Sequence, residues 1–362
     1  MIHFSRGIPP REAIPTEAIT RLTRRVLDTE ADRLFQYPPI GKYAGDPDLR
    51  RELAAFHGTE AERIFVTNGS LQALDLLAGH LVHPGDVVYV EAPTYDRAVQ
   101  IFERHGAKVV GVPLEHDGLD VAALAQLVAA HVPAFVYTIP DFQNPSGVTM
   151  NDSKRRELVR LAAEYEFTVI EDIPYRELRY TGTASASLAE LDLDNRVVTV
   201  GSLSKVLSPG LRIGYVIADP ALVTDLAGQA EGVYLSPSPL SQAIGARCLA
   251  EGLVQSNVAD LRRLMAPRLS AAVDAVREQL GEILVAAPEG GYYLTVHLPV
   301  ANDEATFLAD ARAVGVVLTR GSAFYPDGSM PPQGTIFLRL PFQAMEPEEF
   351  AAGIGRLASL IA

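Results

Sequence analysis

Two serines, a lysine and an arginine lie close together between two apolar stretches of the chain. They are Ser202, Ser204, Lys205 and Arg212. The β-branched run 196–200 predicts a buried strand before them, and a turn at Gly210 leads to a second predicted strand over 213–218. Serine hydroxyls and a guanidinium bind anions, and a lysine amine can condense with an aldehyde. The pattern predicts a site for a phosphorylated carbonyl cofactor.

A solvated lysine and arginine on a surface loop would be the ordinary explanation of a Ser-x-Ser-Lys pattern taken alone. The flanking residues favour a dedicated site, because 201–215 reads Gly-Ser-Leu-Ser-Lys-Val-Leu-Ser-Pro-Gly-Leu-Arg-Ile-Gly-Tyr. This stretch resembles the lysine motif of class I and II aminotransferases of fold type I, in the branch of the aminoadipate and kynurenine aminotransferases. Those enzymes use pyridoxal 5′-phosphate, and the resemblance implies that Lys205 binds it covalently.

The order of predicted elements agrees with this resemblance. Predicted strands alternate with predicted helices along 86–165, which is typical of α/β proteins with a mainly parallel sheet covered on both faces. Two of the helices are predicted over 121–130 and 152–165. The resemblance implies the PLP-dependent transferase fold of type I, in which a large domain with this sheet between helices is joined to a smaller α+β domain.

Three parts of the chain are expected. Residues 1–45, with an amphipathic helix predicted at about 16–30, form an N-terminal arm that contributes to the small domain and to a dimer contact. Residues 46–284 form the large cofactor-binding domain, and residues 285–362 form the small C-terminal domain.

The composition argues against several classes of protein. The 362 residues are 48% hydrophobic, which is enough for a sizeable core. The net charge of −14 disfavours nucleic-acid and anionic-membrane partners, because neutralising phosphates requires clustered lysines and arginines. The single cysteine, Cys248, excludes an intrachain disulfide, and no stretch reaches the roughly 18 apolar residues of a membrane span. A cytoplasmic protein is expected, and the 8 histidines lack metal-ligand spacing, so no metal is expected.

A second anion site is predicted where a helix begins after Gly69. Helix N-termini attract phosphate through unpaired N–H groups and the helix dipole. A simple N-cap at Ser70 is the alternative. The similarity to the family's Gly-Ser-Gln-Gln implies that Ser70 and the amide of Leu71 bind the cofactor phosphate, with Ser202, Ser204 and Arg212. Relatives often carry glutamine where this chain has Leu71, so one side-chain hydrogen bond is lost.

Several predicted strands end near residues that resemble the family's ring-binding set, at the sheet edge where ligands collect in open α/β folds. The resemblance implies that Tyr95 stacks on the cofactor ring and that Asn144 and Tyr175 bind the ring hydroxyl. It also implies that Asp172 pairs with the ring nitrogen, since a carboxylate buried at a strand end needs a cation. The alternatives are a packing tyrosine, a turn-forming Asn-Pro and an aspartate that caps a turn.

Substrate contacts are expected from Arg339, Asn144 and Gly7. Arg339 lies in the predicted strand 336–342 between apolar neighbours, where a charge requires a partner. The resemblance implies that its guanidinium binds the substrate α-carboxylate bidentately, together with Asn144, whereas a structural salt bridge is the alternative. Gly7, in a stretch similar to the family's opening Phe-x-x-Gly-x-Pro, would lie over the substrate side of the pocket.

The resemblance further implies a homodimer with shared active sites. A tyrosine of one subunit donates its hydroxyl to the cofactor phosphate of the other subunit. Tyr37 and Tyr43 are both candidates, because the spacing to the following Leu-Arg segment is longer than the family's, and we favour Tyr37. Ordinary rim aromatics are the alternative.

Together these residues predict an enzyme that moves an amino group between a 2-amino acid and a 2-oxo acid by a ping-pong mechanism, with Lys205, Asp172 and Tyr175 as catalytic groups. Lyase, cyclase or oxidase chemistry on the same fold is an alternative. A sensor domain of a bacterial transcription regulator is another, but it would need a basic winged helix before the arm. The amino acid stays open, since the pocket-shaping segment holds opposite charges at Arg6, Glu12 and Glu17.

Overall fold

The computed structural model describes residues 1–5, 7–39, 41, 43–300 and 302–361. The strands are β1 (Ile2–Phe4), β2 (Ile64–Thr67), β3 (Val87–Ala92), β4 (Lys108–Glu115), β5 (Gly118–Leu119), β6 (Phe135–Thr138), β7 (Thr168–Asp172), β8 (Val197–Ser202), β9 (Gly214–Ile217), β10 (Tyr293–Pro299), β11 (Val316–Leu318) and β12 (Thr335–Pro341). The helices are α1 (Thr16–Leu34), α2 (Pro47–His57), α3 (Ser70–Leu81), α4 (Asp96–Arg104), α5 (Val121–Ala130), α6 (Asp152–Tyr165), α7 (Leu188–Leu191), α8 (Pro220–Val233), α9 (Pro239–Ala250), α10 (Leu253–Leu280), α11 (Glu304–Ala313) and α12 (Pro347–Ala358).

The central sheet has 8 strands in the order β2-β9-β8-β7-β6-β3-β4-β5. The neighbours from β8 through β4 are all parallel, which confirms the predicted mainly parallel sheet. Strand β9 runs antiparallel to β8 and β2. Only a short turn and the 3₁₀ segment Pro209–Leu211 join β8 to β9. A parallel return would need a crossover of a dozen or more residues, so this short link returns the chain antiparallel.

Helices cover both faces of the sheet because successive strand residues face opposite ways. On β6, for example, Phe135 belongs to the same hydrophobic cluster as side chains from α3, α4 and α8. The next residue, Val136, belongs to a separate cluster with side chains from α5, α6 and α7. These two clusters hold the large sheet between two helical layers, and they fix the edge where β6, β7 and β8 end.

A third cluster unites the C-terminal strands and helices with the start of the chain. Strands β10 and β12 pair antiparallel, with Thr295 opposite Arg339, and β1 pairs with β11 in parallel. Phe4 is fully buried in this cluster. The long helix α10 contributes to both parts of the molecule, since Val258 packs in the large-sheet cluster and Val276 packs in this one.

The helix predicted at 16–30 extends four residues further, to Leu34, which packs against Ala243 of α9. The boundary at residue 284 between the expected domains stays a prediction. No helix in the described ranges is long and apolar enough to cross a membrane.

Candidate active site

The carboxyl ends of β6, β7 and β8 lie side by side, because these strands are parallel neighbours. Asp172 is the last residue of β7, Lys205 follows the end of β8, and Asn144 lies in the loop after β6. Chain segments that are far apart in sequence therefore deliver an acid, an amine and an amide to one edge of the sheet.

The Lys205 amine donates a hydrogen bond to the carbonyl oxygen of Gly7, at 2.6 Å. The ring centres of Tyr175 and Tyr292 lie 5.8 Å and 5.7 Å from the same nitrogen. Burial lowers the pKa of Lys205, and the charge of Arg339 acts in the same direction, while Tyr293 and Asp172 oppose it. A lysine whose pKa is lowered is more often neutral, so it can act as a nucleophile or a base.

Asp172 is buried, and one of its two carboxylate oxygens accepts a hydrogen bond from the described residues. Its Oδ2 accepts a hydrogen bond from the hydroxyl of Tyr137, at 2.8 Å. Its Oδ1 is buried and has no hydrogen-bond partner among the described residues. Burial raises the pKa of Asp172 to about 7, although the bond from Tyr137 and the charge of Lys205 lower it. A buried acid with an unpartnered oxygen is suited to a cationic N–H donor from a ligand.

Arg339 and Asn144 are joined by a hydrogen bond in the same part of the molecule. The guanidinium Nη1 donates to Asn144 Oδ1 at 2.8 Å, and Nη2 donates to the carbonyl of Ser5 at 2.8 Å. Its carbon lies 4.6 Å from the ring centres of both Tyr293 and Phe324. Within the described chain, Nε is buried without a hydrogen-bond partner. A guanidinium carries five N–H groups, so Arg339 keeps donors for a carboxylate.

The loop that carries Asn144 is anchored by a fully buried acid. Glu91, at the end of β3, accepts hydrogen bonds from Thr138 Oγ1 at 2.6 Å, from Gln143 Nε2 at 2.9 Å and from the amide of Ile139 at 3.2 Å. Burial raises the pKa of Glu91 to about 7. These bonds anchor the first part of the loop, from Thr138 to Gln143, directly before Asn144.

The first residues of the chain cover the site. A Cβ on Gly7 would lie 1.9 Å from the hydroxyl of Tyr293, so only glycine lets this segment pack there. The hydroxyls of Tyr293 and Tyr175 are 3.3 Å apart. Burial raises the pKa of Tyr95, and the charges of Asp96 and Asp172 act in the same direction, which indicates that Tyr95 lies in the same surroundings as Asp172.

The expected phosphate site is assembled from two turns. Gly69, with φ +88°, is the N-cap of α3, and no side chain caps this helix. The alternative that Ser70 serves as its N-cap is therefore wrong, because Ser70 is the first helical residue. The Arg212 Nη2 atom donates to the carbonyl of Asn68 at 3.0 Å and would lie 2.3 Å from a Cβ on Gly69. Uncapped N–H groups and an adjacent guanidinium favour an anion.

The two serines lie beside these groups. The hydroxyls of Ser202 and Ser204 are 2.9 Å apart. Ser202 pairs with Gly214 across β8 and β9, and a Cβ on Gly214 would lie 2.6 Å from the amide nitrogen of Ser70. The residues that the sequence predicts for a phosphate site thus lie near one another. Leu71 is in the first turn of α3, where its backbone amide would be a donor.

Other residues considered from the sequence lie apart or are engaged elsewhere. Tyr37 is 77% exposed, and it does not take part in the described hydrogen bonds and ring contacts of the Lys205 site. Tyr43 is half-buried and hydrogen-bonds Gln242, and burial raises its pKa to about 12. Glu12 pairs with Arg268 at 2.8 Å. Glu17 is exposed, and Arg6 lies outside the described residues.

Four aromatic residues of the site were not predicted from the sequence. They are Tyr137, Tyr292, Tyr293 and Phe324. For Tyr137 a signal existed, since a tyrosine in a buried strand needs a partner for its hydroxyl. The others come from the C-terminal part of the chain, and no local pattern connects them to Lys205.

Pyridoxal 5′-phosphate, which the lysine motif implies, matches this set of donors and acceptors. The unpartnered Oδ1 of Asp172 suits a protonated ring nitrogen. The uncapped start of α3 beside Arg212 suits a phosphate, and the space above Gly69 would be filled by any side chain there. The residues present therefore fit the cofactor.

Comparisons with known proteins agree with this fit. The family described as aminotransferase class I and II matches residues 1–357. The aromatic-amino-acid aminotransferase 1 of Thermococcus litoralis is 34% identical over 373 residues, covering 100% of this chain and 88% of that protein. The 2-aminoadipate transaminase of Thermus thermophilus is 32% identical over 361 residues, covering 99% of this chain and 89% of that protein.

A solved structure extends the likeness to the whole fold. The kynurenine aminotransferase of Pyrococcus horikoshii, solved in complex with PMP, has a TM-score of 0.92 and 33% identity, covering 99% of this chain and 90% of that chain. Two further relatives, both 28% identical, are an HTH-type transcriptional regulator of Bacillus subtilis and a probable rhizopine catabolism regulatory protein of Rhizobium meliloti, and this chain covers 74% and 72% of them.

Proposed function

The chain belongs to the class I and II aminotransferases and its cofactor is pyridoxal 5′-phosphate, and from this premise we propose that it moves an amino group between a 2-amino acid and a 2-oxo acid in a ping-pong cycle. The observation that carries the proposal is the meeting of three incompletely bonded groups in one buried site: the Lys205 amine, the Asp172 Oδ1 atom and the Arg339 guanidinium.

Arg339 and Asn144 bind the α-carboxylate of the amino acid. The bond between them, at 2.8 Å, fixes the direction of the guanidinium and leaves donors for two carboxylate oxygens. The rings of Tyr293 and Phe324 lie against the guanidinium and keep water away from it, which strengthens the charge pair.

When bound, the cofactor supplies an aldehyde that accepts the amino group and a ring that takes up the electron pair of the substrate Cα–H bond. Asp172 holds the proton on the ring nitrogen through Oδ1. Tyr95 packs against the ring, and Tyr175 and Asn144 bind its hydroxyl. Ser202, Ser204, Arg212, Ser70 and the amide of Leu71 bind its phosphate.

The Lys205 Nζ atom accepts the proton that leaves the substrate Cα. Burial lowers the pKa of Lys205, which favours the neutral amine, and the Gly7 carbonyl, 2.6 Å away, orients that amine. The arm also closes the site over the lysine, so the proton is transferred away from bulk water.

The active unit is a homodimer in which Tyr37 reaches the partner subunit's phosphate site. Its exposure of 77% supports this role over Tyr43, whose hydroxyl is engaged with Gln242 in its own chain. The names of the relatives favour an aromatic or aminoadipate-like amino acid as substrate.

A panel of amino acids, each mixed with the purified enzyme and no 2-oxo acid, tests the proposal. We expect the absorbance of the bound cofactor to change from its aldehyde to its amine form, with one equivalent of the matching 2-oxo acid released. Added 2-oxo acid should reverse the change. An elimination product without the amine form would identify a lyase instead, and no change with any amino acid would contradict the proposal.

A further inference from the structure

Tyr137 has no role in the reaction described so far, although its hydroxyl donates the one hydrogen bond that the Asp172 carboxylate accepts from the described residues. It lies on β6 opposite Ile170, two residues before Asp172 on the neighbouring parallel strand. Side chains two residues apart on a strand share one face. The Tyr137 hydroxyl thus reaches Asp172 Oδ2, at 2.8 Å, across the face that bears the lysine site.

The tyrosine is held rigidly. It is fully buried, and its ring packs edge-to-face on Phe102 with the centres 5.4 Å apart. Its strand is paired on both sides, to Val90 of β3 and to Ile170 of β7. Burial raises the pKa of Tyr137 well above its ordinary value, so the hydroxyl stays protonated and acts as a donor to the carboxylate.

We propose that Tyr137 is the positioning residue for Asp172: its hydroxyl occupies Oδ2 and thereby turns Oδ1 toward the ring nitrogen of the cofactor. This inference rests on the proposed role of Asp172 at that nitrogen. Without this donor the carboxylate could rotate about its Cβ–Cγ bond, and its charge would lose the hydrogen bond that the described residues supply.

The charged and titratable groups around Asp172 define what else acts on it. They are Tyr137 on β6, Lys205 after β8, and Glu91 and Tyr95 at the end of β3. Of these four, Tyr137 alone donates a hydrogen bond to the Asp172 carboxylate in the described structure. Lys205 and Tyr137 favour the charged carboxylate, whereas Glu91 opposes it as a like charge. The loss of the Tyr137 hydroxyl should therefore shift Asp172 toward its neutral form.

Replacing Tyr137→Phe removes the hydroxyl and keeps the ring. We expect the amino-acid half-reaction of the holoenzyme to slow about tenfold at saturating substrate, with KM changed less than twofold, because Tyr137 does not contact the substrate carboxylate site. The affinity for pyridoxal 5′-phosphate should fall several-fold. In the cofactor-free protein, ¹³C NMR of labelled aspartate should show the Asp172 titration near pH 7 moving upward by about one pH unit.

Tyr89→Phe is a matched control. Tyr89 is a buried tyrosine on the adjacent strand β3, and its hydroxyl donates to main-chain carbonyls of Leu127 and His131 at 3.2 Å and 3.0 Å. This variant should lose stability as Tyr137→Phe does, but keep the half-reaction rate and the Asp172 titration. Equal effects of both variants on rate and titration would overturn the proposal, as would wild-type behaviour of Tyr137→Phe.

A double variant separates this proposal from the proposed function. If Tyr137 acts through Asp172, adding Tyr137→Phe to Asp172→Asn should slow the reaction less than twofold further. Normal turnover of Asp172→Asn would refute the proposed function itself. An inactive Asp172→Asn beside a fully active Tyr137→Phe would refute only the role of Tyr137.

If Tyr137→Phe does not fold, difluorotyrosine at position 137 provides the same test. The more acidic hydroxyl is a stronger donor, so the Asp172 titration should move to lower pH. An unchanged or higher titration would overturn the proposal.

Discussion

Glu171 and Asp172 are neighbours at the end of β7, both are buried, and their carboxylates have opposite surroundings. The Glu171 carboxylate accepts hydrogen bonds from the amides of Leu188 and Ala189 at 2.7 Å and 3.3 Å, and from the Thr199 hydroxyl at 3.3 Å. Asp172 accepts one bond, from Tyr137, and keeps a buried oxygen without a partner in the described chain.

The strand itself produces this difference. Successive residues of β7 face opposite sides of the sheet, so Glu171 points to the start of α7 while Asp172 points to the lysine site. Donors within the protein thus bond the Glu171 carboxylate, whereas one oxygen of the Asp172 carboxylate has no donor among the described residues. Because buried polar groups are nearly always paired, the incomplete one marks the place of a ligand.

The same contrast separates two buried arginines. Arg155 is fully buried, and its three guanidinium nitrogens all bond to the protein, including a pair with Asp141 at 2.8 Å. Arg339 leaves its Nε without a partner among the described residues. The guanidinium of Arg155 is fully used within the protein, whereas that of Arg339 keeps a donor for the substrate carboxylate that we propose it binds.

The largest expected effect is that of Asp172→Asn, which removes the charge at the incomplete oxygen. Turnover should fall on the order of 10³-fold, since preorganised electrostatic stabilisation is lost where charge develops. Steady-state rates and circular dichroism would measure turnover and folding together. Turnover close to that of the wild type would mean that the unpartnered oxygen does not serve the reaction.

Arg339→Gln should lower kcat/KM by about 10²-fold or more, mostly through KM, because it removes the buried group that we propose binds the substrate carboxylate. Arg320→Gln offers a control in the same part of the chain, since Arg320 is exposed and bonds Glu304. Equal binding of amino acids by Arg339→Gln and Arg320→Gln would contradict the proposed role of Arg339.

Glu171→Gln should act on stability. The amide cannot accept all the bonds that the carboxylate accepts, so the free energy of unfolding should fall by about 1–3 kcal/mol in urea titrations. Turnover per folded molecule should stay within about twofold of the wild type, because Glu171 faces away from the site. A loss of turnover as deep as that of Asp172→Asn would erase the distinction between the two acids.

The last prediction concerns stability as a function of pH and leaves turnover aside. Burial raises the pKa of Asp172 from 3.8 to about 7, so its contribution to the stability of the cofactor-free protein is complete below pH 3.8 and is lost as pH rises through 7. The unfolding free energy of the wild type, minus that of Asp172→Asn, should fall as pH rises across this window, by at most about 1.4 kcal/mol per pH unit. A rise of this quantity with pH would contradict the assigned direction.

Much of the fold could be predicted because its signals are local. The helices at 121–130 and 152–165 have the bounds that periodicity predicts, and the alternation of strands and helices predicts the mainly parallel sheet. Helix α1 is longer than predicted, and its last residue, Leu34, packs against Ala243, a contact that no local pattern shows.

The sequence by itself determined the elements, the lysine motif and the turns proposed to bind an anion, since each is encoded by residues close together in the chain. Only the tertiary structure decided which oxygen of Asp172 stays free, that Gly7 holds the amine of Lys205, and that Arg339 meets Asn144. These contacts join distant segments, so they depend on strand order and register, which local residue patterns do not specify.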